Sequence, residues 1–192
     1  MGKYTTVTID TENYHKLIKT LRKGYTDLDG VIHRPNNQVA TILVLEANLG
    51  CRIGDIIKLE TDSIIWDGDV WRFNITEQKT GKKRSFVVPA QIKYFIDNYA
   101  AANGITEGRL FKVSAQAVWK CLRAVTAYLG LKDISSHSFR KRCACDLYAA
   151  SNYDIELVAT FLNHSSVNTT RAYLRRSSKQ MEDAINKIVS LA

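Results

Sequence analysis

The stretch SHSFRKRCACDLYAASNYDIELVATFLNHSSVNTTRAYL, residues 136–174, decides how this chain is read. Its pattern is helical over residues 136 to about 150, 154–162 and 167–174, with polar breaks between, so it predicts three helices in close succession. His137 and Arg140 are three residues apart, which puts both on one helix face, where they can converge on one anionic ligand. His164 stands in the break before the third helix and Tyr173 near that helix's end. A phenol with a pKa near about 10 is a poor nucleophile at neutral pH, so attack on phosphorus needs cationic neighbours and a proton acceptor. Two imidazoles and a guanidinium around a phenol meet that need and point to phosphodiester chemistry.

Upstream the period changes. Ser63–Trp66, Val70–Thr76 and Arg84–Val88 are short β-type runs separated by Asp67-Gly68-Asp69 and by Lys79-Thr80-Gly81-Lys82-Lys83. They predict a three-stranded antiparallel meander with Lys79 in its second turn. Before it, a mostly apolar helix runs from Gln38 and is ended by Gly50, and a second helix starts near Arg52 or Ile53 and carries Ile56, Ile57 and Leu59 inward. After it come helices over Ala90–Asn103 and Ser114–Leu129. The fold class expected is mainly α with a small three-stranded antiparallel β-sheet, an α+β arrangement. Residues 1–37 are polar and turn-rich and read as a linker-like segment with one short helix starting at Thr11, whose apolar positions are Leu17, Ile18 and Leu21. Residues 38–176 read as the catalytic domain, and 177–192 as a helical tail with one apolar stripe of Met181, Ala184, Ile185, Ile188 and Val189.

At 192 residues, with 45% hydrophobic and 24% charged residues, one compact soluble domain is the expected size class. The formal charge of +8, with a pI near 9.3, attracts polyanions and makes nucleic acid the leading partner class. Cys51, Cys121, Cys143 and Cys145 form no Cys-x-x-Cys pair, so neither a disulfide framework nor a zinc site is expected. The first sixteen residues hold no apolar core of a leader, and no run approaches a membrane span, so a cytoplasmic, nucleoid-associated protein is expected. No metal-type carboxylate cluster is seen, and no cofactor is called for.

Taken together, these segments resemble the catalytic domain of the tyrosine recombinases, the integrase family of phages and mobile elements. Leu49-Gly50-Cys51-Arg52-Ile53-Gly54-Asp55-Ile56 resembles the family's first arginine motif, and Gln78-Lys79-Thr80-Gly81-Lys82-Lys83-Arg84 its hairpin lysine motif. His137-Ser138-Phe139-Arg140 resembles its His-x-x-Arg box, Leu162-Asn163-His164 its Leu-Gly-His box, and Thr169-Thr170-Arg171-Ala172-Tyr173 its nucleophile segment. The resemblance implies a site-specific recombinase that cuts and rejoins double-stranded DNA through a 3′-phosphotyrosyl intermediate, without ATP or metal. It implies Tyr173 as nucleophile, Arg52 and Arg140 on the scissile phosphate, His137 as base, His164 as phosphate donor and Lys79 as general acid. Lys82 and Lys83 lie close enough that the sequence does not fix which lysine acts. It also implies self-association on DNA as a synaptic tetramer, with the tail docking on a neighbouring subunit or simply packing on its own domain. A type IB topoisomerase and a non-cutting DNA-binding protein of the same fold are the rival readings.

Lys82, Lys83, Arg84, Lys141 and Arg142 are expected to contact DNA phosphates, with Lys120 and Arg123 as weaker candidates. Three positions depart from the family pattern: Asn163 replaces a usual glycine, Lys141 follows Arg140 where histidine is frequent, and Arg175 stands where histidine is common. Residues 1–37 are also too short for the family's amino-terminal core-binding domain, which suggests a fragment that starts at an interdomain linker.

Overall fold

Helix α1 (Thr11–Lys23) starts where the Asp10 side chain accepts from the Asn13 N–H at 2.8 Å, with Glu12 in its first turn and Arg22 and Lys23 in its last. The computed structural model describes residues 6–174. Leu17, Ile18 and Leu21 bury one stripe of α1 against the core, together with Ile9 from the strand-like entry. The stretch expected to be linker-like therefore adds a helix to the same core as the catalytic segments. A tiny antiparallel ribbon follows, β1 (Tyr25–Thr26) paired with β2 (Ile32–His33), which periodicity did not predict. Two-residue strands carry no alternation to detect. Its turn is built instead by Asp27, whose carboxylate accepts from the backbone N–H groups of Asp29 and Val31 and contacts the His33 ring.

Helix α2 (Asn37–Leu49) is capped by Asn36 and is buried nearly all round, which makes it the central pillar of the domain. It ends at Gly50, which has φ 57° and ψ 25°. A Cβ there would stand 3.0 Å from both Leu162 and Phe161, so left-handed backbone and close packing each call for glycine. Helix α3 is a single turn (Ile53–Ile56), shorter than expected, because the chain turns away at Ile57 while Ile56 and Leu59 stay buried.

Strands β3 (Ile64–Asp67), β4 (Val70–Thr76) and β5 (Lys83–Val88) form the expected meander in the order β3-β4-β5. The register puts Phe73 opposite both Ile64 and Phe86, and Ile75 opposite Arg84. Helices α4 (Ala90–Ala102) and α5 (Ala115–Tyr128, capped by Ser114) complete the main core with Ile96, Val118, Leu122 and Val125. Helix α6 (Ser136–Ala150) opens with a capping box between Ser135 and Ser138 and packs along α2. A second, smaller cluster of Ala144, Val158 and Leu162 joins α6 to α7 (Ile155–Phe161) and α8 (Val167–Tyr173), with Tyr173 and Leu174 packed against it. No helix among the described residues is long and apolar enough to cross a membrane. The tail helix expected over residues 178–191, with its apolar stripe, lies outside the described residues, as does Arg175.

Candidate active site

Arg140 is the largest fully buried side chain among the described residues, an unusual place for a guanidinium. Its Nη1 donates to the Gly50 carbonyl, and its Nη2 donates to the Leu162 carbonyl at 2.9 Å and lies 3.1 Å from His164 Nε2. The ends of α2 and α7 thus turn their free carbonyls on it, and the partial negative charge of two helix termini holds the cation without a carboxylate. Its Nε has no partner among the described residues.

His164 is oriented from both sides. Nδ1 is 2.9 Å from the buried Thr170 hydroxyl, and Nε2 faces the arginine. Because a guanidinium N–H can only donate, Nε2 here is an acceptor and Nδ1 carries the hydrogen, which Thr170 receives. Burial, and then the charges of Arg140 and Arg52, push the imidazole down to about 4. His164, the expected phosphate donor, here accepts from Arg140 through Nε2. The Leu162-Asn163-His164 corner works without glycine because Asn163 adopts φ 55°, a left-handed conformation that asparagine tolerates.

Tyr173 sits over this pair: its ring is 5.2 Å from the His164 ring, edge-on, and 6.0 Å from the Arg140 guanidinium. Lys141 Nζ lies 5.9 Å from the same ring and donates to the Thr6 carbonyl. His137, one turn before Arg140, lies at the mouth of the site. Partial burial, then Arg140, Arg52, Lys141 and Lys79 in that order, hold its ring below the usual histidine range. Arg140, His164 and Tyr173 thus meet in one place, and the charges of Arg52 and Lys79 are felt at His137.

Arg52 caps α3 and pairs with Glu77, Nη1 to Oε2, at 2.7 Å. Asp55, three residues after Arg52, is not its partner; Asp55 Oδ1 accepts from the Gln78 N–H at 2.9 Å and pins the hairpin to α3. Glu77 is fully buried, and sequence reasoning missed it. Burial opposes its ionisation, but the Thr80 hydroxyl and the Arg52 guanidinium outweigh burial and hold the carboxyl below its ordinary range. Lys79 follows in the exposed turn. Glu46, midway along α2, is also fully buried, and neither carboxylate oxygen has a hydrogen-bond partner among the described residues. Burial drives its pKa well above normal, with Arg140 opposing.

The expected DNA contacts divide. Lys82 reaches from the hairpin turn to Ser165 Oγ at 2.8 Å, and Lys83 is exposed beside it. Arg84 does not face solvent. It is 3% exposed and donates to the carbonyls of Leu49, Gly50 and Phe161 and to Cys51 Sγ, stacked between Phe86 and Phe161. Alternation from Val88 through Phe86 puts residue 84 on the inward face, so the signal was present in the sequence. Arg142 turns away toward α1, bonding the Thr11 hydroxyl, pairing with Asp146 at 3.4 Å and covering the Tyr14 ring. Arg84 is thus a structural cation rather than a surface contact for phosphate, while Arg142, partly exposed, is engaged with α1. Arg123 lies over the Trp119 ring at 5.4 Å, and Lys120 lines a small groove of about 320 Å³ with Tyr25 and Arg34.

Residues 8–180 match the model of the phage integrase family. The chain is 25% identical over 186 residues to tyrosine recombinase XerA of Pyrococcus furiosus, an alignment that covers 90% of this chain and 64% of that protein. It is 29% identical over 140 residues to the probable integrase/recombinase YoeC of Bacillus subtilis, covering 69% of this chain and 75% of that protein. Among solved structures, XerA recombinase superposes with a TM-score of 0.71 at 14% identity, over 100% of this chain and 67% of that one. The catalytic domain of bacteriophage HP1 integrase superposes with a TM-score of 0.63 at 15% identity and covers 95% of each chain. The XerH recombinase in its post-cleavage complex with difH gives 0.69 at 17% identity, over 93% of this chain and 52% of that one. These likenesses establish the fold of a tyrosine recombinase catalytic domain. The chain spans about half to two-thirds of the length of the Xer proteins it matches.

Proposed function

The chain belongs to the phage integrase family, and from that premise we propose that it cuts and rejoins DNA strands at a specific recombination site through Tyr173. The observation that supports this most is the meeting of Arg140, His164 and Tyr173, with His137 one helical turn before Arg140 and Arg52 tied through Glu77 to the turn that carries Lys79. The phenol oxygen of Tyr173 attacks phosphorus, an O–P bond forms and the P–O5′ bond breaks, and a 3′-phosphotyrosyl linkage keeps the ester for rejoining. His137, its pKa lowered by partial burial and by Arg140, takes the phenolic proton. Arg140 and Arg52 offset the charge that builds on the non-bridging oxygens, as guanidinium cations that stay protonated throughout. Lys79 supplies a proton to the departing 5′ oxygen. His164 keeps Arg140 in register through Nε2. Residues 38–176 are the proposed catalytic domain, working on nucleoid DNA in the cytoplasm, with a tetramer on DNA as the proposed assembly.

The test is a nicked duplex carrying the recombination site from beside the gene. The wild-type protein is expected to give an SDS-resistant protein–DNA adduct, and Tyr173→Phe to give none while shifting the same duplex. An adduct that survives Tyr173→Phe would move the nucleophile elsewhere. Relaxation of plasmids of any sequence by the monomer would favour a topoisomerase.

A further inference from the structure

The turn that carries Lys79 is fastened to Arg52 through a single buried oxygen. Glu77 follows the last residue of β4, and its Oε2 accepts from Arg52 Nη1 at 2.7 Å and from the Thr80 hydroxyl at 2.8 Å. The turn's backbone closes around the same residue: the Gly81 N–H donates to the Glu77 carbonyl at 2.8 Å, and the Glu77 N–H to the Lys82 carbonyl at 3.0 Å. On the other side of Lys79, Gln78 is tied to Asp55 Oδ1 through its N–H and to the Gly54 carbonyl through its side chain at 3.1 Å. Both chain neighbours of Lys79 are thus held to the α3 corner, while its own side chain is exposed.

A carboxylate at this place is not explained by phosphate binding. Its charge beside Arg52 weakens that guanidinium's pull on an anion, and only its other oxygen, 4.0 Å from the buried Arg84 guanidinium and without a hydrogen bond among the described residues, serves to neutralise charge. What the arrangement does provide is a fixed distance between the arginine and the lysine turn. We propose that Glu77 and Thr80 are positioning residues for the general acid. The shared oxygen registers the Lys79 turn against Arg52, so that the ammonium reaches the leaving 5′ oxygen when Arg52 is in its phosphate-holding pose. This rests on the strand-cutting reading above, in which the Lys79 proton passes to O5′ as the P–O5′ bond breaks.

Two nicked duplexes test it, identical except that one carries sulfur in place of the bridging 5′ oxygen, because a thiolate leaves without being protonated. Thr80→Val removes the donor to Glu77, keeps the side chain's shape, and lies at an exposed position where folding is not threatened. It is expected to slow cleavage of the oxygen ester about 10-fold, with the sulfur ester cut within about twofold of the wild-type rate and binding of uncut duplex unchanged. Glu77→Gln is expected to show the same selectivity with a larger effect on the oxygen ester. Equal slowing on both esters by Thr80→Val, or no slowing on either, overturns the positioning role. Failure of the wild-type protein to cut either ester overturns the strand-cutting reading itself and this inference with it.

Discussion

Arg140 and Lys79 serve the same proposed reaction from opposite structural extremes. Arg140 is 0% exposed and is held by main-chain carbonyls from the ends of two helices. Lys79 stands on an exposed turn, whose link to the rest of the site runs through side-chain oxygens of Glu77 and Asp55. A charge that has to meet developing negative charge without reorganising belongs on the first kind of mount. A proton that has to be delivered to a departing atom suits the second, where the turn is tied to α3 and only the lysine side chain is left free to follow the leaving oxygen. The contrast separates what is rigid here from what is adaptable.

The largest expected effect comes from disturbing the rigid mount. Arg140→Lys keeps the charge but cannot reach Gly50, Leu162 and His164 at once, and single-turnover cleavage should fall about 10³-fold while DNA binding changes little. A fall of less than tenfold would mean that charge alone, not the fork, does the work. Next comes the adaptable mount: Lys79→Ala should slow cleavage of the oxygen ester about 10²-fold and be rescued by the sulfur ester, and absence of rescue would assign the acid to Lys82 or Lys83.

Smaller effects separate the two buried titrating groups around Arg140. The carboxyl of Glu46 is raised in the folded protein, so its contribution to stability is present below the unfolded value near about 4.3 and is lost as pH rises. Glu46→Gln should therefore raise the melting temperature at pH 8, by the equivalent of about 1–3 kcal/mol, and leave it nearly unchanged at pH 4. His164 runs the other way. With its pKa lowered to about 4 against about 6.5 when unfolded, its contribution is full above about pH 6.5 and is lost as pH falls toward 4. His164→Gln should flatten the acid side of the melting profile, and a profile left unaltered would remove the neutral acceptor role. The smallest effect is on the hairpin surface, where Lys82→Ala should shift stability by less than about 0.5 kcal/mol.

Much of this molecule was legible in its sequence, for reasons that are local. Gly50 stops α2, Ser114 caps α5, and the period of two over Val70–Thr76 gives β4, because each signal lies within a few residues of what it controls. The six proposed site residues were singled out from short motifs too, and from the family resemblance that those motifs carry. What was missed is long-range. Glu77 meets Arg52 across 25 residues, and nothing beside either names the other. Arg84 and Arg142 were read as surface cations because positive charge usually is, yet tertiary packing supplied carbonyls, aromatic rings and hydroxyls enough to turn both inward. The stretch before residue 37 read as linker-like because polar residues outnumber its apolar ones, and the short helix expected there packs Leu17, Ile18 and Leu21 into the main core.

The carbonyl of Gly50 receives Nη1 of both Arg84 and Arg140, and Leu49, Phe161 and Leu162 offer theirs alongside. Every amino acid carries that oxygen, so no point mutation can delete an anchor of this kind. The intolerance concentrates instead at the one position that lacks a side chain: any residue larger than hydrogen at 50 would collide with α7 and shift the acceptor both arginines depend on.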